Sequence, residues 1–186
     1  MELLTDNALM LKVKHGDLDK MGLLFKRYHR PLFGFLFHMT SQREASEDMV
    51  QNVFYRMLKS RHTFTGNGEF KTWMYHLARN VLKDHTKKNK RSAAHYDISE
   101  FAERIAGGIT ANEGIEKNQE SGILQNALAN LNPDNREVLI LSRFQELKYH
   151  EIATIMNITE GAVKVRIHRA INQLKNMYSK IESNEM

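Results

Sequence analysis

The sequence predicts an all-α protein, two small helical domains joined by a flexible linker. Three observations carry that expectation. Apolar residues recur at helical spacing through most of the chain, and no β-branched run alternates as a half-buried strand does. Only two prolines, Pro31 and Pro133, occur in 186 residues. A central stretch, AAHYDISEFAERIAGGITANEGIEK, lacks a sustained apolar stripe, and from 97 to 120 carries six acids against Arg104 and Lys117. The division is therefore residues 1–92, a linker over 93–117 and residues 118–186, with a short helix around Ser99 to Ile105 inside the linker.

In the first domain a helix is expected from Asp17 or Leu18 to about Met39. Its stripe is Met21, Leu24, Phe25, Tyr28, Leu32, Phe35 and Leu36. Pro31 inside it removes an amide donor and costs one intrahelical bond. A second helix, about Gln42 to Ser60, carries Ala45, Met49, Val50, Val53, Phe54, Met57 and Leu58. The segment His62 to Glu69 then breaks the pattern, with glycines on either side of Asn67. A third helix follows from Phe70 to about Lys88. Phe70, Trp73, Met74, Leu77 and Val81 form its apolar face, and Tyr75, His76, Arg79 and Lys83 point away. Its end, Lys83 to Arg91, holds five basic residues against Asp84 alone. Aromatic side chains beside basic ones can stack on unpaired bases and follow a phosphate backbone. The same residues also suit a core-and-rim role, with the basic end complementing the helix dipole.

The second domain opens with an amphipathic helix, Ile123 to Leu131. The next has an explicit start: Asn132 as N-cap, Pro133 at the first position and Asp134 near the positive dipole end. It runs through Val138, Leu139, Leu141 and Phe144. Leu147 to Lys175 then reads as two helices joined by a tight turn. Ile152, Ala153, Ile155 and Met156 line the first. Asn157 suits a left-handed turn residue, and Thr159 sits where an N-cap belongs. Val163, Ile167, Ala170, Ile171 and Leu174 make one buried face of the second helix. Gly161, Val165, His168, Arg169 and Asn172 lie opposite, with Lys164 at the margin. No acid occurs between Lys164 and Lys180. Short helix, turn and longer basic helix is the sequence form of a helix-turn-helix, whose second helix enters a major groove.

Composition narrows the function classes. A net charge of +5 and a pI near 9.4 suit a polyanionic partner without demanding one. The absence of cysteine excludes disulfides, thiolate zinc sites and thiol nucleophiles. The charged N-terminus MELLTDNALMLKVKHGD is no signal peptide, and no apolar run approaches the ~20 residues of a membrane helix, so the cytoplasm is expected. The nine histidines fall at no defensible metal-ligand spacing, and no phosphate-cradling glycine loop precedes a helix. No metal, cofactor or catalytic residue is expected, and an enzyme is the least favoured class.

Two long stretches carry a resemblance. ASEDMVQNVFYRML, a glycine-bearing loop and FKTWMYHLARNVLKDHTKKNKR are similar to conserved region 2 of the extracytoplasmic-function sigma factors. LNPDNREVLILSRFQELKYHEIATIMNITEGAVKVRIHRAINQLK is similar to their region 4. The resemblance implies a dissociable specificity subunit of bacterial core RNA polymerase, not itself an enzyme. Region 2 would bind the −10 element and region 4 the −35 element, helping to open promoter DNA. The linker would cross the active-site channel toward the RNA exit path. Asp48, Gln51 and Asn52 would dock on the β′ clamp helices, and region 4 on the β flap. The loop from Phe64 to Glu69 would pocket a flipped −10 base. Phe64, Asn67 and Trp73 would serve that site, with Arg79, Asn80, Lys83, Lys87 and Lys88 holding the strand. Lys164, Val165, His168 and Arg169 would face the −35 major groove. Family members are commonly held by an anti-sigma factor, often membrane-linked.

Three positions depart from the family pattern. Val165 stands where serine or another small polar residue is frequent. Valine cannot hydrogen-bond a base but packs on a thymine methyl. Ala162 replaces a commoner threonine, and Asn157 a frequent glycine. The competing class is a helix-turn-helix regulator that binds duplex DNA, as a dimer and without polymerase. A third is a protein-binding decoy, against which the basic faces argue.

Overall fold

A computed structural model describes residues 4–93 and 115–184. Their order is α1 (Asp6–Lys14), α2 (Lys20–Thr40), α3 (Arg43–Lys59), a 3-10 turn (Arg61–Thr63), α4 (Phe70–Ala93), α5 (Ile115–Ala129), α6 (Pro133–Arg143), α7 (Tyr149–Met156) and α8 (Glu160–Asn184). No strand occurs among the described residues. The short helix expected around Ser99 to Ile105 lies outside them.

The N-terminal helix α1 was not anticipated, although its signals are present. Thr5 caps it, accepting from the Ala8 amide at 3.2 Å, and Leu9, Met10 and Val13 are fully buried. Arg27 and Tyr28 of α2 both bond the Asp6 carboxylate, tying α1 to α2. Helix α2 runs unbroken through Pro31. Its six buried residues, Met21, Leu24, Tyr28, Leu32, Phe35 and Leu36, hold it against neighbouring helices despite the lost bond. Phe25 departs from the expected stripe: it is 43% exposed and stacks on His29 one turn later.

The start of the second module also differs from expectation. Helix α5 begins at Ile115, eight residues before Ile123, because its polar first half continues the helix without an apolar stripe to announce it. Asn132 behaves as foreseen, its side chain accepting from the Asp134 amide at 3.0 Å. Phe144 lies just past the end of α6 rather than within it. Asn157 adopts the left-handed conformation (φ 54°, ψ 52°), and Thr159 Oγ1 accepts from the Ala162 amide at 3.1 Å.

One continuous core runs through both modules. It joins Leu9, Leu24, Phe35, Met57 and Met74 to Val138, Ile140, Ile152, Ile155 and Ile167. A smaller cluster, Leu128, Leu131, Leu139 and Ala170, closes the far side of the helix-turn-helix. Arg136 pins the α5–α6 turn to α2, donating to the carbonyls of Leu131 (3.2 Å) and Met39 (2.9 Å). Burial pulls its guanidinium below the usual arginine range.

Candidate nucleic-acid interface

The helix-turn-helix presents one clean face. Val163, Ile167 and Ala170 of α8 are buried, and the intervening Lys164, Val165, His168, Arg169 and Asn172 are exposed. Val165, at 47%, is one of the few large apolar side chains left to solvent. His168 Nε2 accepts from the Asn172 amide at 2.9 Å, which leaves Nδ1 as the donor of this ring. Arg166 does not belong to the face; it pairs with Asp134 at 3.1 Å and braces α8 against the start of α6.

In the first module, the loop between the 3-10 turn and α4 is held from outside. Asn7 of α1 donates to the Gly68 carbonyl at 2.9 Å and accepts from the Phe70 amide at 2.8 Å. Lys14 donates to the Phe64 carbonyl at 2.6 Å. Gly66 has φ +79°, and a Cβ there would lie 3.3 Å from Leu11. Phe64 itself is 2% exposed and packs against Phe70 and Trp73. In this arrangement it supports the loop from beneath and contributes to the lining of the cavity beside Trp73. Asn67 at the loop tip is exposed. Trp73 is half-buried, its indole N–H donating to Thr63 Oγ1 at 3.3 Å. A cavity of about 370 Å³ opens beside it, lined by Thr63, Thr65, Gly68, Trp73, His76 and, from α7, Thr154 and Ile155.

Helix α4 is covered on more sides than its pattern suggested. Tyr75, expected to point outward, is buried against Phe35, and its hydroxyl donates to Gln145 Oε1 at 2.6 Å. Burial pushes its phenol above the ordinary range. The second module covers that side of the helix, and the sequence could not register this. Arg79 is likewise turned inward, its Nε 2.8 Å from Glu137 Oε1 on α6. Burial raises the Glu137 carboxyl despite that partner. Asn80 is partly buried, whereas Lys83, Lys87 and Lys88 are exposed along the basic end.

On α3, Asp48, Gln51 and Asn52 are all exposed on one side. Tyr55, 62% exposed, extends that side by one turn and was not singled out from sequence. Asn52 accepts from Arg56, which also binds Asp84 of α4 at 2.8 Å. Among the described residues no group of three or more His, Asp or Glu converges as metal ligands do, and no helix is long and apolar enough to cross a membrane.

An exposed basic recognition helix, a separate aromatic-walled cavity and a polar helix face in one all-α chain define a DNA-facing transcription protein. Comparison with known proteins narrows the class. Residues 24–92 match the model of Sigma-70 region 2, and residues 121–174 that of Sigma-70 region 4. The ECF RNA polymerase sigma-E factor of Haemophilus influenzae is 31% identical over 182 residues, 94% of this chain and 96% of that protein. The ECF RNA polymerase sigma factor SigW of Bacillus subtilis is 28% identical over 88% of this chain and 91% of its own. The chain belongs to the extracytoplasmic-function sigma factors, a family of non-catalytic transcription-initiation factors. Its fold matches CnrH, solved with the cytosolic domain of CnrY, at a TM-score of 0.72 and 20% identity over 94% of this chain and 97% of that one. It also matches the sigma factor RpoE of Bartonella quintana, solved with the anti-sigma factor NepR (TM-score 0.71, 20% identity, covering 85% and 96%).

Proposed function

We propose that this chain binds bacterial core RNA polymerase in the cytoplasm, recognises a −10 and a −35 element and helps melt promoter DNA. The observation that carries the reading is the cavity beside Trp73. An ordinary duplex-binding regulator has no use for a base-sized recess behind a glycine-bearing loop. A factor that opens DNA needs one, because a base can be read on its Watson–Crick edge only after leaving the stack, at a cost of a few kcal/mol. Phe64 and Trp73 would line that site, with Asn67 at the adjoining loop tip and Arg79, Asn80, Lys83, Lys87 and Lys88 along the strand. Lys164, Val165, His168 and Arg169 would read the −35 groove. Asp48, Gln51 and Asn52 would meet the β′ clamp helices, and the second module the β flap. An anti-sigma partner is part of the reading, since the sigma factor RpoE of Bartonella quintana was solved in complex with the anti-sigma factor NepR.

The test is transcription with purified core polymerase on a promoter library from the same genome. Discrete transcripts that require the protein are expected, and they map both elements at once. Failure to bind core, together with tight binding to a duplex alone, would instead make this a helix-turn-helix regulator.

A further inference from the structure

On the exposed row of α8, one turn beyond His168 and Arg169, stands Asn172. Its amide is held in place, because Nδ2 donates to His168 Nε2 at 2.9 Å. No other side chain among the described residues engages it, so Oδ1 and one amide hydrogen remain for a ligand. The row around it is basic, with no acid from Lys164 to Lys180. A neutral amide adds nothing to the pull on phosphate there. What it adds is direction, and contacts to base edges are what specify sequence.

An amide offers one acceptor beside one donor. Of the four bases only adenine shows the complement in the major groove, with N7 accepting and N6 donating. An exposed asparagine by itself is costly to order, since its torsions are free and its amide can turn over. The bond to His168 fixes both before DNA arrives. We infer that Asn172 is a −35 specificity residue that reads adenine, and that His168 is its positioning residue. This rests on the −35 role proposed above. Asn172 lies beyond Val165 by about 10 Å along the helix axis, the length of about three base-pair steps. Its adenine is therefore expected about three pairs from the position that Val165 meets, with Arg169 between them. The same spacing produces the same bond on α4, where Asn89 donates to His85 Nε2 at 2.9 Å. The bond itself follows from neighbours one helical turn apart. The role follows from where the α8 pair stands, on the row that faces the groove.

The test is transcription by core polymerase and this chain on a library randomised through the −35 element of the strongest mapped promoter. The parent is expected to favour adenine at one position by roughly tenfold, the discrimination that one bidentate pair supplies. Asn172→Ala should erase that preference and keep those at the other positions. His168→Leu should weaken it at the same position, and His168→Gln, whose Oε1 can accept the same bond, should restore it. Asn89→Ala breaks the pair on α4 and should leave −35 preference as it is. In the free protein, nitrogen NMR shifts of the His168 ring at alkaline pH should report the Nδ1–H form, and should move toward a mixture of tautomers in Asn172→Ala. An adenine preference that survives Asn172→Ala overturns the inference and leaves the proposed function intact. So does loss of preference for another base, or a change at different positions for the His168 and Asn172 variants. Failure of His168→Gln to restore what His168→Leu loses, or a ring tautomer indifferent to Asn172→Ala, overturns the positioning role. Absence of any core-dependent transcript removes the proposed function, and this inference with it.

Discussion

The proposed −35 face stands on one continuous helix and meets only water, whereas the proposed −10 site is assembled from α1, the loop, α4 and α7. The difference lies in how far each surface depends on distant chain. On α8, burial of Val163, Ile167 and Ala170 automatically turns Lys164, Val165, His168 and Arg169 outward. Around Trp73, the loop has no regular structure of its own, so its shape is borrowed from Asn7, Leu11 and Lys14 of α1. A surface of the first kind tolerates change at its readers without loss of fold. One of the second kind couples recognition to stability.

The largest effect is expected where that coupling is strongest. Phe64→Ala should cost about 3–5 kcal/mol in denaturant unfolding of the first module, because the ring is fully packed beneath the loop. A loss near zero would mean that the loop floor is not a core. Next, Arg169→Ala should reduce transcription from promoters with an intact −35 element by about 1–3 kcal/mol of binding, with unfolding unchanged. An equal defect on templates lacking that element would count against the groove placement.

A smaller effect, about 1 kcal/mol, is expected for Asn7→Ala, which removes the clasp on Gly68 and Phe70. It should blur discrimination within the −10 element and leave −35 preference untouched. Should both preferences shift together, α1 does not position the loop alone. For Val165→Ser, stability should stay constant while preference for thymine at one −35 position weakens. Unchanged discrimination at every position of a promoter library removes apolar readout from that residue.

The smallest expected effect is a pH dependence of module closure. Burial raises the Glu137 carboxyl, with Arg79 and Lys83 opposing and Asp134 reinforcing the shift. A group raised in the folded form contributes stability that is complete below its ordinary value of 4.5 and is lost as pH rises through the raised one. Scattering should thus show tighter closure at about pH 5 than at neutrality. Glu137→Gln, measured alongside, should flatten the response.

Much of the molecule was legible in the sequence where a signal is local. Asn132, Asn157 and Thr159 took the capping and turn roles that their chemistry dictates, and the apolar stripes of α3 and α8 face inward as their spacing requires. Helix α1 has local signals in Thr5, Leu9, Met10 and Val13, but at nine residues its apolar stripe is too short to stand out by period alone. Tyr75 and Phe25 were misplaced for a different reason. Periodicity assigns one buried face per helix, but α4 is covered on two sides and α2 leaves part of its stripe to solvent.

The sequence by itself determined the helical class, the helix-turn-helix and its exposed basic face, because caps and period act within a few residues. Only the tertiary structure decided that Asn7 clasps the loop 61 residues away and that Arg79 pairs with Glu137 across 58 residues. Such pairings follow from how the helices pack, and no local propensity encodes which distant side chain completes them.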